Sequence, residues 1–274
     1  MLHSLHQLDG SDVLVMQDQM DITSGIVMQT KVQKLMFERW GETLVMDFTH
    51  GTNNLGYHLG SLVVTTATSR DFPVVDFICL KEQTETISTI LDYFKKTNPP
   101  WRDVETVVID KDLSNGEFSR SALQKQRFCS ASFTRYLTGK SPTLTVYESG
   151  YKALKQYCKT NKKQSLFAYF DKNWNACNEM WSNFARGKYF TAGNTTTNRI
   201  EFNWNQLKML LGLKTRSDET IAGLLQHQIT ITQQIISEIG HLHSTSRMPK
   251  TVPKSLRAVA TRISANILEK VKRE

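Results

Sequence analysis

The chain has 274 residues, is 39% hydrophobic, and sets 34 Lys and Arg against 26 Asp and Glu, for a formal net charge of +8 and a pI near 9.3. One sizeable core with insertions is the default at this length, and the basic excess favours a polyanionic partner without naming it. Cys79, Cys129, Cys158 and Cys177 form no CxxC pair, which excludes a disulfide framework or cysteine zinc cluster; without a leader-like start or a run approaching 18 apolar residues, neither secretion nor membrane spanning is expected.

Residues Met1 to about Thr30 are mixed and poorly periodic, whereas Val32, Leu35, Met36 and Trp40 follow helical spacing, so residues 1–40 are expected to be a helical lead-in. Three β-rich apolar runs follow, Thr43 to Phe48, Leu59 to Thr66 and Pro73 to Leu80, separated by turn residues. Short loops between sequential strands predict an antiparallel meander. Ile87, Ile90, Leu91 and Phe94 share one helical face, and Asn98-Pro99-Pro100 ends that helix before a strand from Val104 to Asp110. The order β-β-β-α-β implies a right-handed crossover that brings the fourth strand parallel to the first. Asp47 and Asp110 then lie together at the carboxyl ends of neighbouring strands. Tyr151 to Lys188 reads as a helical, aromatic-rich insertion. Asn198 or Thr197 can cap a helix through Gly212, Glu219 to His243 gives a long helix, and a basic amphipathic tail runs from Leu256 to Lys272. The expected organisation is a lead-in over 1–40, a core over 41–146, a helical insertion over 147–190 and C-terminal helices over 191–274.

A carboxylate directly after an apolar strand needs a cation or a metal, because an unpaired buried charge is costly. Taken singly, either aspartate reads better as a loop cap than as a ligand. Together they call for compensation, which Mg²⁺ with oxygen ligands supplies.

Three segments, ERWGETLVMDFTHGTNNLGYHLGSLVVTT, NPPWRDVETVVIDKD and AGNTTTNRIEFNWNQLKMLLG, resemble blocks of the Mutator-like transposase domain found in SWIM zinc-finger proteins. The resemblance covers most of the chain, with weaker similarity at QTKVQKLMF and FAYFDKNW, and fails between about Ser114 and Val146. It implies an α/β fold, an RNase H-like mixed sheet (β-β-β-α-β) with a helical insertion and C-terminal helices. It also implies three metal-holding catalytic acids, carried onto Asp47, Asp110 and Glu201. The implied reaction is DNA strand cleavage and transfer, with Mg²⁺ or Mn²⁺ as cofactor if the site is active. DNA is the implied partner and the nucleus the implied location, and self-association is allowed.

Other residues carry two readings each. His50 could approach a phosphate or the second shell of a metal, or could stabilise its turn. Asp112 reads better as a solvated loop charge than as an auxiliary acid. Trp174 and Trp181 could stack on bases, although helical spacing favours core positions. Asn198, Asn203 and Asn205 read as cap and surface residues. Lys250, Lys254, Arg257 and Arg262 could meet phosphates or form a solvated face.

The family's Cys-x-x-His signature after the second aspartate is replaced by Cys129-Ser-Ala-Ser132, and no SWIM cysteine series stands in these residues, so no zinc is expected. Read one frame over, with free codon choice, Ser130-Ala131-Ser132-Phe133-Thr134 can hide the letters CQFH. Residues 114–146 are therefore read as a frameshifted, aberrant segment of an incomplete copy, too polar for a fifth core strand and its following helix. The expected outcome is a degenerate, inactive transposase-derived core. The alternative is a non-catalytic nuclear DNA-binding or interaction module, and a host RNase H-type nuclease is a third, weaker reading.

Overall fold

A computed structural model describes residues 10–109, 127–130, 143–180, 182–186, 198–212, 215–244, 252–253 and 256. A seven-stranded mixed sheet organises them: β1 (Asp12–Gln17), β2 (Thr23–Gln29), β3 (Thr43–Thr49), β4 (His58–Thr65), β5 (Asp71–Cys79), β6 (Thr106–Ile109) and β7 (Arg127–Ser130), in the order β1-β2-β5-β4-β3-β6-β7. Seven α-helices among the described residues accompany it: α1 (Lys31–Trp40), α2 (Thr84–Thr97), α3 (Leu144–Thr160), α4 (Gln164–Asn173), α5 (Asn183–Arg186), α6 (Asn198–Leu211) and α7 (Ser217–Ser244).

The meander and the crossover are as the sequence predicts. β3 pairs antiparallel with β4, and β4 with β5; α2 then crosses over, and β6 returns parallel to β3 with Leu44 opposite Val107 and Met46 opposite Ile109. Strands β3 to β7 thus adopt the RNase H-like arrangement, third-second-first-fourth-fifth. The fold class is the one expected.

Two expectations at the sheet edges need correction. Among the described residues of this stretch, 10–40, helix is confined to 31–40; residues 12–29 form an antiparallel hairpin that extends the sheet beyond β5. Asp18 organises its turn by accepting from the backbone N–H groups of Met20 and Ile22 at 2.8 and 3.0 Å. At the other edge, Arg127–Ser130 pairs parallel with β6, so a short fifth strand does form inside 114–146. Pairing satisfies backbone groups, and β6 is a buried strand whose N–H and C=O groups need partners whatever side chains the neighbour carries.

Alternation along the strands separates two apolar layers. Leu44, Met46, Leu62, Val64, Phe72 and Phe77 pack with Phe37 of α1 and Ile87, Ile90, Leu91 and Phe94 of α2. Phe94 meets Phe37 and Trp101 edge-on, at centroid distances of 4.9 and 5.7 Å. On the opposite face, Val45, Leu59, Val63, Ile78 and Val108 pack with Ile200, Trp204 and Leu207 of α6 and Ile221 and Leu224 of α7. A smaller cluster within the expected helical insertion joins Tyr147, Phe170 and Trp174.

Candidate active site

Asp47 is the fifth residue of β3, half-buried, directly after the buried run Leu44-Val45-Met46. It shares a face with Val45, the face covered by α6. Strand pairing sets Asp47 opposite Ser61 and Ser61 opposite Asp76, so a polar row crosses three strands within an apolar layer.

Asp76 is the most buried acid of this row, at 1% exposure. Its Oδ2 accepts from Gln33 Nε2 of α1 and Gln228 Nε2 of α7, each at 2.8 Å, and its Oδ1 accepts from Ser61 Oγ. Burial pushes its carboxyl above the ordinary value, while the bonds from Ser61, Gln228 and Gln33 pull it back. A carboxylate so enclosed joins four elements; it is a structural centre rather than an open ligand. No motif marks it in the sequence, since its partners lie 43, 15 and 152 residues away. Beside it, burial pushes the His227 imidazole below its ordinary value.

The three acids expected at the site have different standings. Asp110 lies outside the described residues, immediately after Ile109, the last residue of β6. Glu201 is exposed in the first turn of α6. Its neighbours Phe202, Asn203 and Gln206 line a groove with Ser69, Arg70 and Asp71 of the β4–β5 turn, at the end of the sheet remote from the β3 carboxyl end. The other end of α6 leads to Thr215, whose carbonyl accepts from Asn54 N in the loop after β3. The direction of α6 thus carries Glu201 away from that loop.

At the carboxyl end of β3, a different group of ligand-type side chains comes together. His50, His58 and Glu82 place their ligand atoms within 4.8 Å of one another. Glu82 Oε1 lies 2.8 Å from His58 Nδ1 and 3.6 Å from His50 Nε2. The sequence singles out His50 alone; His58 and Glu82 are brought to it by strand register. Cys79 is fully buried nearby, and burial together with the Glu82 carboxylate pushes its thiol up to about 12, which leaves it inert.

Of the remaining candidates, Trp174 is buried at 6% and serves the core. Asn203 is half-buried and Asn205 exposed, both on α6, which begins at Asn198. Asp112, Trp181, Lys250, Lys254, Arg257 and Arg262 lie outside the described residues. No helix among the described residues is long and apolar enough to cross a membrane.

Strand order, crossover and the acid on the first core strand are then joined by a family match. Residues 3–129 match the family model described as Zinc finger SWIM domain-containing protein 1/3, RNaseH-like domain. The RNase H-like domain so matched contains Asp47, His50, His58, Asp76, Glu82 and Asp110, whereas Glu201 lies beyond it. No curated protein matches the chain.

Proposed function

We propose that this chain is a transposase-derived RNase H-like domain of Mutator-like descent, whose ancestral activity was divalent-metal-dependent DNA strand cleavage and transfer and which is now inactive. The observation that carries the descent is the parallel register of β3 and β6. It ends with Met46 opposite Ile109, and each strand's next residue is an aspartate, Asp47 and Asp110. Two carboxylates that each follow a paired apolar run form a hard oxygen donor set that suits Mg²⁺ or Mn²⁺. Bound there, such ions would activate water and stabilise a leaving oxygen on a phosphodiester. Asp47 and Asp110 are the residues that would hold them.

Inactivity is favoured by the place of Glu201, exposed in the first turn of α6, whose next residues Phe202, Asn203 and Gln206 line a groove with Ser69, Arg70 and Asp71. In-line phosphoryl chemistry tolerates misplacement of about 1 Å only with rate losses near a hundredfold. Two acids would therefore survive as a relic. DNA would be the surviving partner and the nucleus the place of action. The polar character of 114–146 further favours a one-base frame change there. Genomic sequence across that stretch tests it, since an intact frame with no hidden Cys-x-x-His removes this part of the account.

Mn²⁺ titration of the full chain, followed by electron paramagnetic resonance, tests the relic site. Asp47→Asn and Asp110→Asn should each weaken binding, and Glu201→Gln should not. Mn²⁺ binding indifferent to both aspartates would overturn the assignment.

A further inference from the structure

We propose that His50, His58 and Glu82 form a transition-metal site, with Zn²⁺ as the preferred ion and one coordination position open to solvent. It stands apart from the acid pair and does not rest on that reading. Alternation along β4 puts His58 on the face of Gly60 and Leu62, whereas Ser61, opposite Asp47, faces α6. Two imidazoles and one carboxylate also suit Zn²⁺ or Co²⁺ better than Mg²⁺, which prefers oxygen ligands and retained waters. The cysteine signatures missing from the sequence have no bearing on a site of this composition.

The backbone brings the ligands together. β3 and β4 end their ladder with Thr49 opposite Leu59, so His50 and His58 are the next facing positions, and their rings meet edge-on at 4.3 Å between centroids. His58 is in turn opposite Cys79 at the end of β5, and Glu82 follows three residues later, just before Gln83, the N-cap of α2. Zn²⁺ bound at about 2.0–2.1 Å in tetrahedral geometry sets its ligand atoms about 3.3 Å apart. The two distances to Glu82 Oε1, 2.8 and 3.6 Å, bracket that spacing.

The intervening loop is fixed in advance, which lowers the ordering cost of binding. Buried Asn53 accepts from the N–H groups of Leu55 and Tyr57, at 3.2 and 2.9 Å, and donates to the Tyr57 carbonyl at 2.7 Å. Thr220 Oγ1 of α7 donates to the Thr52 carbonyl at 2.9 Å. Gly51 and Gly56 take the positive φ values, 73° and 76°, that let the chain turn back. His50 remains 63% exposed, so an ion can enter from solvent.

Co²⁺ titration of the full chain, read by visible ligand-field absorption, tests the site. An intense band should saturate at one equivalent and be displaced by Zn²⁺, whereas an all-oxygen octahedral site absorbs only weakly. His50→Ala, at an exposed position, and Glu82→Gln should each reduce affinity by roughly a hundredfold, with His227→Gln as a control that keeps the band. Circular dichroism melts without metal verify folding, and Zn²⁺ should raise the melting temperature of the parent chain but not of His50→Ala. An unchanged band in both ligand variants, or no intense band at one equivalent, would overturn the site.

Discussion

Gln228, near the middle of the last long helix, donates its side-chain amide to the buried carboxylate of Asp76 at 2.8 Å. The contact spans 152 residues and ties the C-terminal helix to the sheet. Because Gln33 and Ser61 converge on the same carboxylate, Asp76→Ala would leave three donors without their acceptor. The expected cost is about 3 kcal/mol, read as a lower urea midpoint with an unchanged m-value. Asp76→Ala at parental stability would show that the network does not hold the helix.

Acid sensitivity should trace to the neighbouring histidine. His227 is held below its ordinary value of 6.5 by burial, so its contribution to stability is present above 6.5 and lost as pH falls through its lower folded value. Asp76 works in the opposite sense: its raised value means that its proton is bound more readily in the folded state, so acidification relieves part of its burial cost. His227→Gln should therefore lose less stability than the parent between neutral pH and about pH 5. Equal losses in urea unfolding would assign acid sensitivity elsewhere.

The first helix offers a local test. Thr30 caps α1 with a capping box, accepting from Gln33 N at 3.3 Å while its own N–H donates to Gln33 Oε1 at 2.8 Å. Thr30→Ala should cost about 1 kcal/mol. The same urea titration reads it, and no change in midpoint would contradict the cap's role.

The loop after β3 offers another. Asn53→Ala removes three hydrogen bonds that shape residues 53–57 and should raise backbone amide exchange there while β4 and β5 stay protected. Protection unchanged at Leu55 and Tyr57 would show that the loop holds its form without Asn53.

The meander was legible because each apolar run is bounded by Gly, Asn, Ser or Arg turns, and the following helix because Ile87, Ile90, Leu91 and Phe94 share one face. The β1–β2 hairpin was not. β2 lies between β1 and β5, and its Ile26-Val27-Met28-Gln29 run is buried throughout, which erases the alternation that signals a strand. β7 escaped for a different reason, since its pairing is a backbone matter and its sequence, RFCS, is too short to show a period. At the candidate site, Asp47 could be found from strand-end position. Glu201 rested on resemblance, and its position relative to the loop after β3 depends on how α6 runs across the sheet, which no local pattern encodes. Glu82 joins His50 and His58 only once three strands are in register.

Strand nicking of supercoiled DNA by the full chain tests the central claim most directly. With Mg²⁺ or Mn²⁺, the parent chain should nick no faster than Asp47→Asn or Asp110→Asn, because the acids persist without a functional third partner. Metal-dependent nicking by the parent that either substitution abolishes would contradict the account and show a working nuclease.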